Sequence, residues 1–120
     1  MSARQQAIHY DGRVFAVAAN SISGEVSAST RFYYHQDGDV VWAEYSGGDI
    51  VKGFLLGRVS EDGCLTFHYQ HLNRDKALRI GKCASRPERL DDGRLRLFET
   101  WQWLDGERQT GTSVLDELLS

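Results

Sequence analysis

Few side chains in this chain offer chemistry, and their spacing decides which chemistry is open. The histidines are His9, His35, His68 and His71. His68 and His71 sit three apart in a stretch that alternates like a strand, so they face opposite sides and do not readily share an ion. No metal site is expected. Cys64 and Cys83 form no disulfide framework and stand in no nucleophile elbow. Cys83 reads as a small buried hydrophobe. Tyr45-Ser-Gly-Gly-Asp49 is too short for a phosphate-cradling loop and has no lysine in place. There is no dinucleotide fingerprint and no β/α alternation to carry one. No cofactor is expected.

Two carboxylates are more informative. Glu44 follows Trp42 at strand spacing, and Glu99 precedes Trp101 and Trp103 in the same way. A carboxylate facing an apolar interior must be paired, hydrogen-bonded, protonated or near water. Aromatic walls with a few converging polar groups are how small-molecule pockets are lined. Candidate ligand contacts are Tyr34, Trp42, Glu44, Tyr69, Glu99, Trp101 and Trp103, with His71 nearby. A purely structural role for Glu99, satisfying a buried arginine, tyrosine or backbone group, is the competing reading. Two acids in one cavity would also suit acid–base chemistry, on that pair alone.

Those residues are positioned by a series of tight reversals. Asp-Gly occurs at 11–12, 37–38, 62–63, 92–93 and 105–106, and Gly47-Gly48 adds a turn of similar chemistry. Asp-Gly between alternating segments is a strong hairpin signal, because glycine supplies the positive φ that the loop needs. Leu95 to Trp103 alternates most clearly, and Leu65, Phe67 and Tyr69 alternate with polar neighbours. Other strands are expected over 13–19, 28–36, 39–46, 50–60, 78–86 and 109–118. Pro87 sits near a strand end, and Gly53, Gly57 and Gly81 suit bends or close approach. The expected fold is all-β: an antiparallel meander of about eight strands, closed into an up-and-down, calycin-like barrel so that no edge stays unpaired. A two-sheet sandwich is the rival.

Turn length sets which side chains point inward. Three-residue loops at 61–63 and 91–93 pair Leu55 with Tyr69, Gly57 with Phe67, Cys83 with Trp101 and Ser85 with Glu99. A three-residue loop at 36–38 pairs Tyr34 with Val40 and Phe32 with Trp42. A two-residue loop at 47–48 pairs Trp42 with Gly53 and Glu44 with Val51. Val40, Trp42, Glu44 and Val51 are therefore expected inside. Phe54, Leu56, Ile80 and Phe98 fall on the outer face, where they form a candidate patch for a homo-oligomer.

The bulk numbers fit one globular domain over 1–120, with 1–8 as a mobile tail. Of the 120 residues, 41% are apolar and 26% charged, and the net charge is -3. That balance gives no basic footprint, so neither nucleic acid nor a membrane is an expected partner. The opening residues lack an apolar signal core, and a cytoplasmic location is expected.

Gly24-Glu-Val-Ser27, Tyr45 to Gly48 with Ile50 to Gly53, Gly93 to Leu97, and Glu99 to Trp103 together resemble a family of small bacterial proteins commonly labelled "N-acetylglutamate synthase". The architecture that the resemblance implies is loosely similar to lipocalin and avidin barrels. Acetyl transfer in its usual setting needs a helix N-terminus to hold the cofactor's pyrophosphate. The sequence offers no such helix, so no catalytic residue carries over. The leading expectation is a small-molecule binding barrel. An oligomeric interaction module and a small enzyme using interior carboxylates are the alternatives.

Overall fold

The structure is a computed structural model and describes residues 8–21 and 24–119. Most of the expected tail, residues 1–7, lies outside the described residues, while Ile8 packs against the core.

Eight strands follow one another: β1 (Val14–Asn20), β2 (Arg31–Asp37), β3 (Val40–Gly47), β4 (Ile50–Val59), β5 (Leu65–Asn73), β6 (Leu78–Arg89), β7 (Leu95–Trp103) and β8 (Thr110–Glu117). Each pairs with the next in antiparallel fashion, and β8 pairs back onto β1, closing a barrel in chain order. The meander is as expected, and closure rules out the sandwich. β2 starts later than the alternation suggested. Ser27 to Thr30 is a capped turn, with the Thr30 amide donating to the Ser27 carbonyl (2.9 Å) and the Ser27 amide to Thr30 Oγ1 (3.1 Å).

Four strands have the expected register. Gly63 and Gly93 adopt φ of 88° and 91° at the ends of their loops. Leu55 then faces Tyr69, Gly57 faces Phe67, Cys83 faces Trp101 and Ser85 faces Glu99.

β3 is the exception. The β2–β3 reversal is the two-residue turn Gly38-Asp39, with Gly38 at φ 62° and Asp37 paired to Val40. Tyr34 therefore faces Ala43, three positions beyond the expected Val40. The β3–β4 turn is Gly48-Asp49, and an irregularity beside it leaves Val51 unpaired and 43% exposed. Glu44 faces Phe54, again three positions past the expected Val51. Each shift is odd, so together they invert β3 and restore β4 from Gly53 onward. Val41, Ala43 and Tyr45 point inward, whereas Val40, Trp42 and Glu44 point out.

One half of the interior is filled. Tyr10, Phe15, Tyr34, Val41, Leu65, Leu95, Leu97 and Leu115 are each at most 1% exposed. Tyr10 precedes β1 and closes this end, its hydroxyl donating to the Gly63 carbonyl (2.6 Å). Its amide donates to Gln36 Oε1 (2.8 Å), and Arg13 pairs with Glu117 (2.6 Å). Both ends of the described chain lie here, since Phe15 pairs with Glu117.

Candidate functional site

The other half of the barrel is lined by rings that lie against its wall. Gly81 stands between Tyr69 and Trp103 in the sheet, and a Cβ there would overlap the Tyr69 ring. Gly53 gives Tyr45 the same clearance. Glycine beside each ring lets it fold flat on the strand instead of filling the middle. Phe32, Tyr45, Phe67, Tyr69, Trp101 and Trp103 surround the resulting cavity, with Cys83, Glu99 and His71. Its unfilled volume is ≈ 470 Å³, counting the part open to solvent, but only ≈ 50 Å³ of that admits the centre of a water molecule.

Glu99 lies deep in this cavity, 9% exposed. Among the described residues, its Oε2, the Tyr34 hydroxyl and the Ser85 hydroxyl are buried without a hydrogen-bond partner. Burial raises the Glu99 pKa from 4.5 to about 8, and the nearby Ser85 hydroxyl, out of hydrogen-bonding geometry, opposes this only in part. Near neutral pH Glu99 is therefore mostly an uncharged acid, able both to donate and to accept. Burial, with Glu99 close by, also pushes the Cys83 thiol up, so Cys83 is no thiolate nucleophile.

At the mouth, residues 24–26, in the loop between β1 and β2, reach over the barrel. Strands β1 and β5 are four apart in the ring of eight and so lie opposite each other. Glu25, on that loop, reaches β5 and β6. Its Oε1 meets His71 Nε2 (2.9 Å) and Asn73 Nδ2 (3.3 Å), and its Oε2 takes a hydrogen bond from the Arg79 guanidinium. Arg79 is also held by Asp105 (3.2 Å) and lies 4.0 Å over the Trp103 ring. Burial pushes the His71 pKa down, and the Glu25 contact offsets only part of this. The neutral ring donates from Nε2 to the carboxylate and accepts at Nδ1 from the Tyr45 hydroxyl (3.0 Å). Burial alone would raise the Glu25 pKa. The His71 and Asn73 hydrogen bonds and the Arg79 charge outweigh it and keep the carboxyl below 4.5. The loop is tied a second time, where Asn20 Nδ2 donates to the Val26 carbonyl (2.8 Å). Asn20 Oδ1 accepts from Ser113 (2.5 Å), which accepts from Trp101 Nε1 (2.8 Å).

A family model described as avidin-like protein matches residues 8–118. The chain belongs to the avidin-like family. No curated protein and no solved structure matches it. The family and the closed ring of eight strands agree with the avidin-like architecture, and the acetyltransferase label finds no counterpart in these comparisons.

Of the sequence-derived candidates, the avidin-like barrel places Tyr34, Tyr69, Glu99, Trp101 and Trp103 inside. Trp42 and Glu44 are corrections. They lie on the outer wall with the rest of inverted β3, Trp42 stacked on His35 (5.5 Å) and Glu44 bonded to His35 Nε2 (2.8 Å). Glu44 and Glu99 therefore share no cavity, and the paired-carboxylate reading goes with them. Tyr45 takes the inward place on β3, and Glu25, Asn73 and Arg79 complete the mouth. Glu25 carried one sequence signal, its place in the Gly24 to Ser27 motif. Among the described residues, no group of three or more His, Cys, Asp or Glu is placed to hold a metal.

Proposed function

We propose that this avidin-like protein binds a small, mainly apolar molecule in the upper half of the barrel. The molecule lies against Tyr45, Tyr69, Trp101 and Trp103, with its inner end near Glu99. The observation that carries the reading is a ring-lined cavity with an unpartnered carboxyl oxygen inside it. A buried polar atom left unmatched costs about 1–3 kcal/mol, and a ligand's polar group removes that penalty. Native mass spectrometry of freshly purified protein tests the proposal by seeking a retained small molecule. Glu99→Leu, which removes the polar end that the ligand would meet, should lose at least half of the bound fraction while leaving the fold intact, as circular dichroism would show. A protein that never carries a ligand, in wild-type or variant form, overturns the reading.

The outer wall supports a second reading, a surface for another copy of the chain. Phe54 and Leu56 on β4, and Leu78 and Ile80 on β6 across β5, are 40–59% exposed. The oligomeric state tests it.

A further inference from the structure

The clearest unassigned feature is the seat occupied by Glu25. His71, Asn73 and Arg79 come from the rim of β5 and β6, on the far side of the barrel from the strand that leads into the Glu25 loop. They converge on one carboxylate: an imidazole N–H on one oxygen, a guanidinium on the other, and an amide N–H group shared between the two. His71 is held ready from behind by Tyr45, and its side chain is 1% exposed. Arg79 is held by Asp105 and by the face of Trp103. The donors are thus positioned by their own strands, independently of the loop that fills them. Such fixed donors recognise a carboxylate as a class, whatever chain it belongs to. Directly inside the seat lie the rings of Tyr45, Tyr69 and Trp103.

We propose that His71, Asn73 and Arg79 form a carboxylate-binding site, that Glu25 fills it in the empty protein, and that the barrel's ligand is an aromatic or other apolar carboxylate whose acid group takes Glu25's place. This rests on the reading of the interior as a ligand pocket, and it names the ligand's class. It also accounts for the small enclosed space. With Glu25 seated, the loop lies over the rings and leaves ≈ 50 Å³, enough for water but not for a ring. Releasing Glu25 frees the seat and uncovers the rings in one step. Exchanging one carboxylate for another leaves the ion pair nearly unchanged, so the net gain comes from burying the ligand's apolar body. Glu25 competes as a tethered ligand, with an effective concentration of order millimolar.

The test uses acetate, phenylacetate and phenylacetamide with the wild-type chain and Glu25→Ala. Binding is followed by the His71 ring signals in NMR and by tryptophan fluorescence. Acetate should shift the His71 signals saturably in the variant and much less in wild type. Phenylacetate should bind the variant at least tenfold more tightly than acetate does, and at least tenfold more tightly than it binds wild type. Adding Arg79→Met to the variant should abolish its preference for phenylacetate over phenylacetamide. Glu25→Gln, which keeps one acceptor oxygen but sets an N–H donor where the other oxygen accepts, should show the same order with smaller gains. It serves as the readout if the alanine variant does not fold. No acetate response in either variant overturns the carboxylate seat. If phenylacetamide still binds in that case, the interior pocket stands without it. An acetate response with phenylacetate no tighter than acetate overturns both the ligand class and the pocket.

Discussion

Glu99 is the residue whose environment departs furthest from water among the carboxylates described. Its pKa rises from 4.5 to about 8, because burial penalises the charged form. A raised pKa means that the folded state binds the proton more tightly than the unfolded chain does. The stabilisation is complete below pH 4.5 and is lost as pH rises to about 8. Over that window the loss amounts to at most about 5 kcal/mol. Glu99→Gln carries no titrating group there. The stability difference between wild type and variant should therefore swing toward the variant as pH rises from 5 to 8, by several kcal/mol, in urea melts at fixed pH. A difference that stays flat with pH would mean that Glu99 is solvated. On the acid side the mouth responds in the other direction. His71 and Glu25 both have lowered pKa values, so falling pH removes their contribution and weakens the latch.

At the scale of the element, β3 shows how much depends on a turn. The β2–β3 reversal contains Asp-Gly-Asp, and its glycine can serve as the last residue of a three-residue loop or the first of a two-residue turn. These choices differ in parity, and parity decides which side chains face the core. Local alternation did not break the tie, because both faces of β3 carry large apolar groups: Val40 and Trp42 on one, Val41 and Tyr45 on the other. The neighbouring strands broke it. Tyr45 fits over Gly53, whereas Glu44 pairs with His35 on the outer wall. The register is directly testable. Val41→Asp buries an unpaired charge at a position 1% exposed, and should destabilise by at least about 3 kcal/mol or prevent folding. Val40→Asp, at 43% exposed and paired with Arg58, should stay within about 0.5 kcal/mol. Chemical denaturation of the two variants settles which face is inside.

At the scale of the whole molecule, the barrel is closed differently at its two ends. Tyr10, fully buried with its hydroxyl bonded to the Gly63 carbonyl, plugs one end. The other is covered by a loop held largely by polar contacts, which exchange far more readily than a packed core. Under the proposed ligand-binding reading, entry is therefore expected at the mouth. The outer wall makes its own prediction. Phe54 and Leu56 lie two apart on β4, with Ile80 across β5 on β6. If that surface joins two copies, sedimentation should show a concentration-dependent dimer, and Leu56→Lys should return it to monomer with little change in stability. A monomer at all concentrations removes the second reading and leaves the pocket untouched.

Strand number, the meander order and the inward set from Gly53 on β4 through β7 were already present in the sequence, because turn glycines and two-residue alternation are local signals that act within one hairpin, whereas closure over a sandwich is decided between distant strands. The inward places of Glu99, Trp101 and Trp103 follow from that alone. The face of β3, the Tyr10 plug and the seating of Glu25 were decided only by tertiary structure. Glu25 and His71 are 46 residues apart, and no local rule brings them together. Only closing the ring sets the β1–β2 loop opposite β5, where a carboxylate with no intrinsic preference for the interior finds the donors that hold it.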